Sequence, residues 1–138
     1  MMFPKPSKLS LPALDRKLWK IVSECVRRKD AASNGICTCV TCGRIDHWIH
    51  MQAGHFISRS KKSTKFNPMN ISAQCVKCNF WGAGKQFEHG IALDKKWGNG
   101  TAENLLMLSK LPCKRSKSDY LILIDQWSEK LKALKRTA

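Results

Sequence analysis

Two Cys-x2-Cys pairs, Cys39/Cys42 and Cys75/Cys78, bracket the stretch of this chain best equipped for chemistry. A two-residue gap lets two thiolates from one turn reach the same ion, and two such turns complete a tetrahedron around Zn²⁺. Four protein ligands leave no open position, so this zinc is expected to be structural. The plain alternative is a set of reduced, buried thiols. Cys37 competes for a ligand position through its Cys-x-Cys spacing with Cys39, while Cys25 and Cys113 read as small hydrophobes. Seven cysteines, an odd number, argue against a disulfide framework.

His55 and Asn70 lie between the pairs, and Asn79 directly follows Cys78. Hydrolysis of a phosphodiester requires a base to activate water and a cation to stabilise the leaving oxygen. A neutral imidazole suits the first task near pH 7. A side-chain carbonyl suits a hard cation such as Mg²⁺, which keeps several waters and takes few protein ligands. A lone histidine is more often packed than catalytic; the cysteine frame is what singles out His55. His50 and Gln52 are further candidates to assist a catalytic metal, His47 a weaker one, and His89 reads as a surface residue.

The charge points to the partner. Lysine and arginine number 25 against 10 acids, a net +15, which favours polyanions and above all nucleic acid. Arg59, Lys61, Lys62 and Lys65 fall in the loop between His55 and Asn70, where they could hold a DNA backbone; a solvated loop is the alternative. Lys85 joins this set, and Lys95, Lys96 and the run Lys114-Arg115-Ser116-Lys117 could extend it. Trp48, Phe80 and Trp81 could stack at an open junction, although five tryptophans in a chain of 138 residues are expected mostly in the core. No recognition-helix code is apparent. No apolar run reaches the roughly 20 residues of a membrane span, and the first residues lack the apolar stretch of a secretory signal. The expected location is the cytoplasm, without a membrane partner.

The elements that must position these residues follow from periodicity. The expected class is α+β, mainly helical, with one domain over 11–138 behind a flexible basic arm over 1–10. Ser10 and Pro12 suit the start of a helix over about 11–30, whose apolar face is Leu14, Leu18, Ile21, Val22 and Cys25. Residues 36–44 form one cysteine turn. Residues 45–58 suit a bent hairpin or two short strands, and 59–70 a loop. A short helix carrying Asn79 is expected before Gly82 and Gly84. Helical segments then fill about 86–136, ending in an amphipathic helix on Tyr120, Ile124, Trp127, Leu131 and Leu134.

The motifs C-V-T-C-G, A-G-H-F, K-F-N-P-M-N and Q-C-V-K-C-N together resemble the HNH, or ββα-metal (His-Me finger), nucleases. More closely they resemble the phage NinG/Rap recombination endonucleases. The resemblance is specific over about 37–85 and looser through the last helix. It implies a zinc-stapled ββα-metal core over about 36–85, with flanking N- and C-terminal helices. By that resemblance His55 is the general base, Asn70 orients that histidine or braces the loop, and Asn79 binds catalytic Mg²⁺ or Mn²⁺. It also implies branched DNA as substrate, Holliday junctions and D-loops, for a phage-encoded enzyme in the host cytoplasm. Symmetric cutting would favour a homodimer built on the apolar face of the first or last helix. One departure stands out: many HNH sites carry an acidic metal ligand just before the base, and here that position is Gly54. Two other readings remain: a zinc-stabilised nucleic-acid-binding module without catalysis, and a general HNH nicking enzyme.

Overall fold

Ser10 accepts a hydrogen bond from the amide of Ala13, and Pro12 fills a first-turn position that needs no donor; together they open helix α1, Leu11–Asp30. This is a computed structural model, which describes residues 7–137; most of the basic arm expected over 1–10 lies outside the described residues. Leu14, Leu18, Val22, Cys25 and Val26 are the buried face of α1, and Ile21 packs at its margin. Gly35, at φ +83°, turns the chain into strand β1, Ile36–Thr38, and a Cβ there would collide with the His47 ring.

Residues 45–58 form two short strands, β2 (Ile45–His47) and β3 (Gln52–His55), separated by the 3-10 turn Trp48–His50. They do not pair with each other as a hairpin would. β2 pairs with β1, closing the first cysteine turn between them, and β3 pairs with β4, Ile71–Gln74, in antiparallel register Gln52 to Gln74 and His55 to Ile71. The long segment between β3 and β4 ends in the 3-10 turn Pro68–Asn70.

After β4 the chain makes one π-helical turn, Lys77–Trp81, which carries Asn79 and ends at Gly82. Ala83 and Lys85 then adopt positive φ, 54° and 49°, and helix α2 begins at Gln86 and runs to Trp97. α3 covers Thr101–Ser109, and α4 covers Lys117–Arg136 behind a capping box of Ser116 and Asp119. Tyr120, Ile124 and Trp127 are buried against α1. Asp15 meets Tyr120 and Glu24 meets Lys135, so α1 and α4 run side by side in the same sense. The apolar faces considered for a homodimer are therefore packed on each other.

The molecule is thus a small α+β fold with a larger core between α1, α4 and β3–β4, and a second cluster around the cysteines. His89, read from the sequence as a surface residue, is fully buried on α2, because that helix turns its first half toward Phe56. Among the described residues no helix is long and apolar enough to cross a membrane.

Candidate functional site

The thiol sulfurs of Cys39, Cys42, Cys75 and Cys78 lie within 4.8 Å of one another, and Cys42 and Cys75 are 3.7 Å apart. A tetrahedron with Zn–S bonds of about 2.3 Å has edges of about 3.8 Å, so the spacing fits zinc. The protonation chemistry agrees. Burial opposes ionisation of Cys39, but the amides of Cys75, Cys42 and Thr41 and the Thr41 hydroxyl outweigh it and bring the thiol to about 6. Cys78 is pushed up to about 12 by burial and by the neighbouring thiols. Four such groups ionise together only around a cation. The donor set suggests a structural zinc site. Cys37 is buried beside the cluster in the same apolar pocket and is not one of the four close thiols.

His55 ends β3, where the Trp19 ring of α1 stacks on it at 4.6 Å between centroids. Its Nε2 lies 2.9 Å from the Lys65 carbonyl. A carbonyl only accepts, so Nε2 carries the proton and Nδ1 keeps the lone pair. Burial lowers the His55 pKa, helped by the nearby Lys65 and Arg59 charges and partly opposed by the carbonyl contact, so the ring is neutral at pH 7.

Asn70 is fully buried, and its side chain makes no hydrogen bond to His55. Its Oδ1 accepts from the Ile57 amide at 2.7 Å, and its Nδ2 donates to the Ile57 and Thr64 carbonyls at 3.0 and 3.1 Å. These bonds brace the loop that delivers the Lys65 carbonyl. Of the two roles the resemblance implied, the contacts are those of loop bracing.

Asn79 donates through Nδ2 to Gln52 Oε1 at 2.7 Å, which leaves its Oδ1 as an available oxygen. Gln52, a candidate metal helper, thereby orients Asn79. His50 instead sits beside Asp46 at 3.0 Å, away from this group. A Cβ on Gly54 would collide with Gln74 Oε1; Gln74 is buried and donates to Thr41 and to the Gly84 carbonyl. The residue before His55 is glycine because the Gln74 side chain occupies the space an acidic residue would need.

His55 and Asn79 line one cleft of about 660 Å³. Its third wall comes from α1, through Trp19, Ser23 and Arg27. Sequence reasoning did not single out Trp19, Ser23 or Arg27. Their spacing of four residues, which forms one stripe on a helix, was the available signal. Arg59 and Phe80 also line the cleft, and Arg27 and Arg59 have no acidic partner among the described residues.

The basic residues separate by position. Arg59 lines the cleft, Lys61 and Lys62 are exposed on the loop beyond it, and Lys85 is exposed with its side chain beside Gly82. The Lys65 ammonium is engaged by Asp15, whose other oxygen accepts from the Tyr120 hydroxyl. Arg115 donates to the Lys62 carbonyl and covers the Phe66 ring. Trp48 is packed beneath the Arg27 and Arg28 guanidinium groups, whereas Phe80 and Trp81 are exposed.

A protein-family model described as bacteriophage lambda NinG protein matches residues 9–137. No curated protein and no solved structure gives a match.

Proposed function

The chain belongs to the bacteriophage lambda NinG family, and from that premise we propose that it is a metal-dependent DNA endonuclease of phage recombination, selective for branched DNA. The observation that carries the reading is the pairing, in one cleft, of a neutral histidine with a free Nδ1 and an asparagine with a free Oδ1. The antiparallel β3–β4 pair followed by a helical turn bearing Asn79 supports a ββα-metal core.

In this proposal His55 Nδ1 takes a proton from water as that water attacks phosphorus, and the 3′ oxygen departs to leave a 5′-phosphate. The Lys65 carbonyl and the Trp19 ring hold the imidazole in the required tautomer and orientation. Arg27 and Arg59 hold the non-bridging oxygens. Asn79 Oδ1 would hold Mg²⁺ or Mn²⁺, which supplies charge neutralisation at the departing oxygen. No carboxylate lines the cleft among the described residues, so DNA phosphate and water would have to supply the cation's remaining ligands. Lys61, Lys62 and Lys85 extend the backbone contacts outside the cleft. Symmetric cutting of a Holliday junction would use two copies, joined through a surface other than the α1–α4 seam; the mass by light scattering, free and junction-bound, tests this.

Cleavage of a labelled four-way junction and of matched linear duplex with Mg²⁺ tests the reading. His55→Ala and Asn79→Ala are expected to lose at least about a hundredfold in rate with zinc content unchanged. Wild-type rates in a folded His55→Ala protein would overturn it. Equal rates on junction and duplex would remove the branch selectivity and leave a general nicking enzyme.

A further inference from the structure

We propose that Phe80 and Trp81 form a base-stacking wedge at the mouth of the cleft, which takes nucleobases that are unpaired or unstacked next to the scissile phosphate. This rests on the reading of the cleft as a DNA-strand site. Phe80 is 67% and Trp81 77% exposed, whereas Trp127 is 8% exposed in the core. The two rings meet edge to face at 5.0 Å, which leaves flat aromatic surface uncovered on this exposed pair. Phe80 follows Asn79 directly and lines the cleft.

The rings stand on a rigid base. The Asn79 amide donates to the Cys75 carbonyl, the Gly82 amide to Lys77 and the Gly84 amide to Cys78, at 2.9, 2.7 and 2.9 Å. Gln74 ties the Gly84 carbonyl to the sheet at 2.8 Å. Cys75 and Cys78 belong to the four-thiol group on the N-terminal side of the turn. Beyond it, the positive-φ residues Ala83 and Lys85 turn the chain into α2, and both rings stay largely exposed. Such conformations persist where the surrounding structure imposes them, and they cluster at binding sites.

What covers the rings must suit both their apolar surface and the cations Arg27 and Arg59, which line the cleft with Phe80 and have no acidic partner among the described residues. A DNA strand offers both: an anionic backbone for the guanidinium groups and π-faces for the rings. In intact duplex those faces are already stacked. The wedge therefore engages only where the strand is open, at a branch, gap or end, and tolerates any base sequence because every base has a π-face.

Affinities are measured without added Mg²⁺ and without chelator, with zinc content checked, for three DNAs: a four-way junction with 2-aminopurine at the branch, a single strand and a matched duplex. Trp81→Ala and Phe80→Ala are expected to lose about tenfold or more on the junction and single strand, with duplex affinity held within about twofold. Trp81→Phe should restore most of the loss, and 2-aminopurine quenching should weaken in the alanine variants. An equal loss on all three DNAs, or no loss on any, overturns the wedge. Failure of the nuclease reading is separable, because these titrations contain no added Mg²⁺ and read binding alone. A wild type that never cuts sinks the nuclease alone; unchanged binding by Trp81→Ala in a chain that cuts sinks the wedge alone.

Discussion

His55 is set for proton transfer by two neighbours with opposite effects. Burial under Trp19 lowers its pKa, and the Lys65 carbonyl on Nε2 pulls it partly back, with the net shift downward from 6.5. A base must be neutral to act, so activity is present above the folded pKa and lost as pH falls through it. The acid limb of kcat/KM is expected below pH 6.5. Trp19→Ala admits water to the ring and should move that limb upward, toward 6.5, while lowering the rate. A limb above 6.5 in the wild type, or one unmoved by Trp19→Ala, would contradict this account; an NMR titration of His55 checks it without catalysis. Asn79 is set more simply, since one hydrogen bond donated by its Nδ2 to Gln52 Oε1 leaves Oδ1 as the available atom.

At the scale of elements, β3 and β4 act as a gauge for what fits before His55. Gly54 is there because Gln74 crosses the sheet to reach Thr41 and Gly84, joining the first cysteine turn to the end of the π turn. Gly54→Ala should displace that side chain and cost about 2 kcal/mol, read from a urea midpoint. Gly54→Asp, which restores the acidic residue common in HNH sites, should lower stability further and should not raise activity or Mg²⁺ affinity. A gain in either would show that the cleft lacks only a carboxylate. The cysteine turns hold β1–β2 to the π turn in the same way. Stripping the metal with a strong chelator should release that unit, with four thiols becoming reactive and the melting temperature falling steeply. Retention of the native melt after complete zinc removal would mean that the four thiols pack without needing an ion.

Across the whole molecule, the cleft is assembled from segments distant in the chain: α1, β3 and the π turn. The Asp15–Lys65–Tyr120 group locks the loop behind His55 to both long helices. Beneath the cleft, His89 is buried with both ring nitrogens lacking a hydrogen bond among the described residues, and burial, with the Lys96 charge, lowers it to about 4. The unfolded chain takes up this proton first, so the stability from a neutral His89 is full above about pH 6.5 and is lost as pH falls toward 4. The loss amounts to roughly 3 kcal/mol. His89→Leu should leave stability at pH 7 unchanged or higher and should flatten this acid limb. A variant with the wild-type acid limb would assign the loss to other groups.

Much of this was legible in the residues themselves. The two Cys-x2-Cys pairs and the apolar stripes of α1 and α4 are local properties: a two-residue gap sets which thiols share a turn, and a 3.6-residue period sets which side chains share a face. The charge of +15 is likewise a matter of composition. Contacts between distant segments were not legible. The Lys65 carbonyl that selects the His55 tautomer, the Trp19–Ser23–Arg27 wall, the Asp15 partner of Lys65, the burial of His89 and the exposure of Phe80 and Trp81 all depend on how α1, the braced loop and the π turn come together. A residue's type limits what it can do. Its solvation and its partners, which decide whether a histidine is a base or core and whether an aromatic is packing or a platform, exist only once the chain has closed on itself.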